Sequence, residues 1–248
     1  MRNYFTLGGV DSRTFGLYIS GRGTFDSPTR ELNMLNIPGR NGDLISGVTR
    51  LENTTVTYPA FICRDFEANM AALRAFLLSD GGYRRLIDTY HPNEYRMATF
   101  RGPLTANVNY RNNAAQFDLT FEVKPQRFLL SGDTETTYNA SAVYITNPTL
   151  FSARPLIRVY GTGTLDIYNY STGSFKRHWL LEITGNNEYI DIDCETRDAY
   201  IGDVNANEYL AIQYSDDYDF PSFVPGQSAI LKSVGISEYV ITPRWWTV

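Results

Sequence analysis

Few residues in this 248-residue chain could carry chemistry, and each group has a structural alternative. A nucleophilic site needs a nucleophile, a base and a group that orients the base. The only cysteines are Cys63 and Cys194, and the only histidines are His91 and His178. Both cysteines fall at strand positions that read as buried, where a free thiol behaves as a small hydrophobe. Asp191, Asp193 and Glu195 lie two apart, which places them about 7 Å from one another on one strand face. Such parallel carboxylates suit neither a glycosidase cleft nor a calcium site and read as a solvated face. Asp216, Asp217 and Asp219 precede Phe220-Pro221 as an acidic surface turn. No nucleophile elbow, phosphate loop or dinucleotide fingerprint is present, and Gly161-Thr162-Gly163 reads as a turn. The expectation is no catalysis, no cofactor and no metal.

Aromatic residues offer a second kind of chemistry. There are 18 Tyr, 14 Phe and 3 Trp, and an exposed ring can stack on a sugar. Trp179 and Trp245 are the candidates for that role, with Trp246 beside them. A β-sandwich core and its cross-strand pairs consume aromatics in quantity as well.

The elements that must position these residues are mostly strands. Phe117, Leu119, Phe121 and Val123 alternate with Gln116, Asp118, Thr120 and Glu122, the pattern of a strand with one buried and one wet face. Ile190, Ile192 and Cys194 alternate with Asp191, Asp193 and Glu195 in the same way. Further strands are expected at 57–63, 156–160, 165–170, 179–183, 209–214, 229–232 and 239–242, separated by turns such as Gly185-Asn186-Asn187 and Pro225-Gly226. One helix stands out near 65–79. Asp65 is placed to cap it, Phe66, Met70, Leu73 and Leu77 share a face, and Asp80-Gly81-Gly82 stops it.

These elements divide into an α+β first domain over 1–130, a polar linker over 131–141, and a β-sandwich over 142–248. Charge divides with them: residues 1–130 carry 15 basic and 12 acidic residues, residues 131–248 carry 7 and 15. Neither half has the dense basic clustering of a nucleic-acid reader. With 43% hydrophobic and 20% charged residues the chain is no disordered polymer, and no stretch reads as a signal peptide or membrane span. Two widely spaced cysteines suit assembly in a reducing cytoplasm. The stretch from Glu31 to Glu52 is punctuated by Gly and Pro and holds Met34, Leu35, Ile37, Leu44 and Ile45 without a clean period. It reads either as an arm that embraces a neighbouring subunit or as a hairpin packed within its own domain.

Taken in order, several segments resemble the distal tail (Dit) proteins of long-tailed, non-contractile bacteriophages. They are Phe5-Thr6-Leu7-Gly8-Gly9-Val10-Asp11-Ser12 with Phe15-Gly16-Leu17, and Ile37-Pro38-Gly39-Arg40-Asn41-Gly42. The single helix follows, then Leu86-Ile87-Asp88 and Phe121-Glu122-Val123-Lys124-Pro125. In the second half the segments are 154–163, 190–195, Phe220-Pro221, Pro225-Gly226 and Pro243-Arg244-Trp245.

The resemblance implies a mainly β, two-domain protein, with a ring-forming N-terminal domain of β-sandwich or split-barrel type and a galectin-like or jelly-roll sandwich behind it. It implies a structural virion protein that forms a hexameric hub at the end of the tail. That hub would join the tail-tube protein to the tail-tip or baseplate proteins, with genomic DNA passing through a central channel and no membrane partner. Leu35, Ile37, Pro38, Gly39, Leu44 and Ile45 are then the ring-interface candidates. Larger relatives carry an arm for receptor-binding proteins, for which 248 residues leave no room. The alternative is a carbohydrate-binding adhesin that grips host-wall sugars through Trp179 and Trp245.

Overall fold

The computed structural model describes residues 2–21, 25–171, 174–185, 187–215 and 219–248. The chain divides into two compact units, Met1–Arg127 with Val248, and Phe128–Thr247.

The first unit contains β1 (Phe5–Leu7), β2 (Val10–Asp11), β3 (Leu17–Ile19), β4 (Arg30–Leu35), β5 (Leu44–Leu51), β6 (Thr54–Ile62), α1 (Phe66–Leu78), β7 (Arg84–Asp88), β8 (Glu94–Thr99), β9 (Asn107–Asn109) and most of β10 (Ala114–Leu129). Its main sheet runs in the order β2-β1-β7-β8-β10-β6-β3, with β9 also on β10. Alternation along β10 sends Phe117, Leu119, Phe121 and Val123 into the core, as the sequence pattern requires. The antiparallel register sets Phe117 opposite Ala60, Leu119 opposite Tyr58 and Phe121 opposite Val56, so both strands bury the same face.

Helix α1 covers that core with Phe66, Met70, Leu73 and Leu77. No described helix is long and apolar enough to cross a membrane. Asp65 does not cap the helix with its side chain, because its backbone is left-handed at φ 46°. Asn113 takes over: its Oδ1 accepts from the Phe66 amide at 3.4 Å. At the other end the Arg84 guanidinium donates to the carbonyls of Phe76 and Leu77, each at 3.1 Å, and lies over the Phe76 ring. A cation on orphan carbonyls at a helix C-terminus is favourable on both hydrogen-bonding and dipole grounds.

The second unit contains β11 (Thr136–Tyr138), β12 (Ala142–Asn147), β13 (Leu156–Gly161), β14 (Gly163–Ser171), β15 (Ser174–Ile183), β16 (Tyr189–Asp193), β17 (Asp198–Ile201), β18 (Val204–Asn205), β19 (Leu210–Ser215), β20 (Gly226–Lys232), β21 (Ile236–Thr242) and β22 (Trp246–Thr247). One sheet runs β11-β21-β13-β16-β17-β18 and the other β12-β20-β14-β15-β19. A single core lies between them, with Ile157, Val159, Ile192 and Tyr239 from the first sheet and Ile167, Trp179, Leu181 and Ile230 from the second. This is the expected β-sandwich.

The stretch 131–141 is more ordered than a linker. Leu130–Asp133 forms a 3-10 turn, and Gly132 accepts from the Arg244 amide at 2.8 Å. Strand β11 then pairs Thr136 with Ile241 and Tyr138 with Tyr239. Edge strands this short bury little apolar surface, so a polar composition hides them.

Candidate functional site: a two-faced apolar hairpin

Among the described residues, strands β4 and β5 pair only with each other, as a sheet separate from the main one. Their base is held by the Glu52 amide donating to Thr29 and by Arg50 paired with Glu31 at 3.0 Å. Near the tip, Asn36 donates to Asp43, and Gly39 and Gly42 take left-handed conformations at φ 83° and 80°. Met34 lies opposite Ile45 and Leu35 opposite Leu44. Successive strand residues point to opposite faces, so these two pairs make both faces of the ribbon apolar. All four are 40% to 55% exposed, and Leu32 is exposed too. Ile37 is half-buried, while Pro38 and Gly39 stand in water. Two register shifts, at 30–32 and 33–34, explain why the sequence shows no period there. Monomeric surfaces rarely expose contiguous apolar side chains in this way.

Among the described residues, no hydrogen bond or ion pair joins either cysteine side chain to a histidine. Cys63 is half-buried and Cys194 fully buried. Burial pushes the Cys194 thiol far above its usual range, and the charged groups acting on it are Asp193, Arg244, Arg154 and Asp219, with no imidazole among them. His91 Nδ1 sits 3.3 Å from Asp88, and His178 Nε2 sits 3.1 Å from Asp166.

The carboxylates are engaged in structural pairs. Arg158 grips Asp191 through two hydrogen bonds of 2.6 and 2.7 Å, and Arg244 grips Asp193 at 2.7 and 2.9 Å. Glu195 lies in the turn after β16 rather than on its face, and its amide donates to Asp193. Burial alone would raise the Asp193 pKa, but Arg244 and the amides of Glu195 and Thr196 hold it below the usual carboxylate range. Asp219 joins Arg154 at 3.1 Å and Arg197 at 2.8 Å, while Asp216 and Asp217 lie outside the described residues. Among the described residues no cluster of three His, Cys, Asp or Glu is placed to hold a metal.

Neither candidate tryptophan offers a ring face to a sugar. Trp179 is completely buried on the inward face of β15 and donates its indole N–H to the Asp219 carbonyl at 2.9 Å. Trp245 is buried against Phe223. Both are core residues because the sandwich interior needs large apolar volumes. Trp246 stacks on Phe151 at 4.4 Å.

Sequence reasoning also missed a buried polar centre in the first unit. The Tyr58 hydroxyl donates to Asp88 at 2.6 Å, and Asp88 accepts further from the amides of Tyr90 and His91. Arg96 and Arg127 are buried as well, with Arg127 3.6 Å from Glu94. Burial and then the charge of Arg127 lower the Arg96 pKa. The signal for this centre was present in Leu86-Ile87-Asp88, where the acid ends a strand at an inward position.

No protein-family model and no curated protein sequence matches the chain. Solved structures do. The crystal structure of SPP1 Dit (gp 19.1), described as a paradigm of hub adsorption apparatus in Gram-positive infecting phages, superimposes with a TM-score of 0.74 at 13% identity over 100% of both chains. This chain has the SPP1 Dit fold. The phage p2 baseplate in its activated, Sr-bound conformation matches with a TM-score of 0.51 at 10% identity over 97% of both chains. The two-domain, mainly β architecture expected from the distal-tail resemblance is therefore the architecture found.

Proposed function

We propose that this chain is a structural protein of a bacteriophage tail, a hub at the distal end of the tail tube. Six copies close into a ring, and the β4–β5 hairpin of each copy lies on the next. The ring joins the tail-tube protein to the tail-tip or baseplate proteins, and the genome leaves through its centre. The observation that carries this reading is the hairpin: a ribbon apolar on both faces, exposed on both, and outside the main sheet.

A closed ring needs a heterologous contact, one patch of each subunit fitting a different patch of its neighbour. A hairpin suits this because it buries side chains on two faces and offers unpaired backbone groups along its edges. The shared fold with a phage hub protein supports the same role. The chain would be made in the host cytoplasm and end in the virion. Electron microscopy of the purified full chain tests this: rings with six-fold symmetry are expected, and monomers alone at high concentration would overturn it.

A further inference from the structure

The tip of the β4–β5 hairpin holds a pair of residues able to react with each other. Asn41-Gly42 is the one place in the sequence where glycine follows asparagine. Any other following residue sets a Cβ beside its own amide nitrogen and hinders that nitrogen as a nucleophile. Glycine has no Cβ, so its backbone can be approached closely. Asn41 and Gly42 are both exposed. Gly42 is left-handed at φ 80°, and a Cβ added there would meet no atom within 4 Å.

The hydrogen bonds of the loop leave this pair out. The Arg40 amide donates to the Ile37 carbonyl at 3.1 Å, which closes the Pro38-Gly39 turn before Asn41 is reached. Asn36 donates to Asp43 at 3.1 Å, just beyond Gly42. Among the described residues, neither the Asn41 side chain nor the Gly42 amide takes part in a hydrogen bond. Asp80 also precedes a glycine, but its Oδ1 accepts from the Gly82 amide at 2.8 Å and is tied into its turn. A carboxylate is also a poorer electrophile than an amide. At Asn41 the nucleophile and the electrophile sit in one dipeptide, so their encounter is intramolecular and costs little entropy.

We propose that Asn41 is a self-modification site, which deamidates in the folded chain through a cyclic imide to isoaspartate and aspartate. Water is the only co-reactant. Solvent base takes the Gly42 amide proton, the nitrogen attacks Asn41 Cγ, and a C–N bond forms. The side-chain nitrogen leaves as ammonia, carrying a proton from water. Water then opens the imide at one of its two carbonyls, restoring the Gly42 N–H and leaving one carboxylate. Nothing is oxidised or reduced. Opening at the backbone carbonyl routes the main chain through Cβ. That adds a methylene and a negative charge to the tip, close to Asp43 and the Leu35–Leu44 pair. The proposal does not rest on the hub reading, because the chemistry needs only an exposed tip.

The test is peptide mapping by mass spectrometry of the full chain, aged in mildly alkaline buffer made with heavy-oxygen water. Isoaspartate and aspartate are expected at position 41, each carrying one heavy oxygen, at a rate at least tenfold above that at any other asparagine. Gly42→Asn adds a Cβ while keeping a residue that tolerates left-handed backbone. It should slow the reaction at Asn41 at least tenfold, and Asn41→Gln should abolish it there. Met34→Asp is aged in parallel, with light scattering on both samples to report the ring state. Reaction in a monomeric parent would uphold the site while the hub fails, and reaction in Met34→Asp alone would uphold it as a tip covered in the ring. Asn41 intact in both chains, aspartate without isoaspartate, a faster reaction at another asparagine, or a rate indifferent to Gly42→Asn would overturn the proposal.

Discussion

Met34 and Ile45 face each other across the β4–β5 hairpin, and each keeps more than half of its surface in water. The adjoining pair, Leu35 and Leu44, is exposed on the opposite face, at 51% and 40%. A ribbon that is apolar on both sides cannot satisfy itself by folding onto one sheet. This is the physical basis for the proposed subunit contact.

Charge placed on that ribbon should separate assembly from folding. Met34→Asp or Ile45→Asp removes only one half-exposed cross-strand contact from the isolated chain, so its stability should fall by no more than about 1 kcal/mol. The same substitutions would desolvate a carboxylate in the proposed ring contact and should dissociate rings into single chains. Paired thermal melts and sizing runs check both halves of the statement.

Trp179 should matter for stability alone. Trp179→Ala leaves a cavity beneath β15 and leaves the Asp219 carbonyl only the Ser215 hydroxyl as donor, and a loss of about 3–5 kcal/mol is expected. Denaturant unfolding measures it. Trp179→Phe should recover most of the loss.

The Arg244–Asp193 pair predicts acid sensitivity. The folded carboxyl binds its proton less readily than the unfolded one. Its contribution is therefore complete above the unfolded pKa of about 3.9 and is lost as pH falls through the lower folded value. Melting temperature should drop below about pH 4, and the drop should be shallower in Asp193→Asn. Arg244→Ala leaves the half-buried carboxylate without its main partner and should cost about 2 kcal/mol at neutral pH.

Gly132 tests the order found in 131–141. A Cβ there would lie 2.3 Å from the Trp245 amide nitrogen, which belongs to backbone and cannot swing aside. Gly132→Ala should destabilise the second unit by about 1–3 kcal/mol. A flexible linker would tolerate the change, so the melting temperature decides between the two.

Strands and the helix were legible because their signals are local. Alternation from Gln116 to Val123 and the spacing of Phe66, Met70, Leu73 and Leu77 each fix a buried face within one element. Contacts between distant residues were not. Asn113 replaces Asp65 as the cap from 47 residues away, and Tyr58 reaches Asp88 across the sheet. Trp179 gave no sign of its burial, because a tryptophan on a strand fits a core and a sugar platform equally well. Tyr168 and His178 were visible only as two strand residues until register made them partners. The hairpin was legible as an anomaly: Met34, Leu35, Leu44 and Ile45 without a period are what two apolar faces and two bulges produce.

The most direct test of the hub is the solution mass of the full chain, by light scattering after size exclusion, beside the Met34→Asp variant. A mass near six times 28.2 kDa, or a multiple of that ring, falling to 28.2 kDa in the variant, is predicted. A monomer in both at high concentration, or a hexamer that Met34→Asp leaves intact, would contradict the hairpin-closed ring.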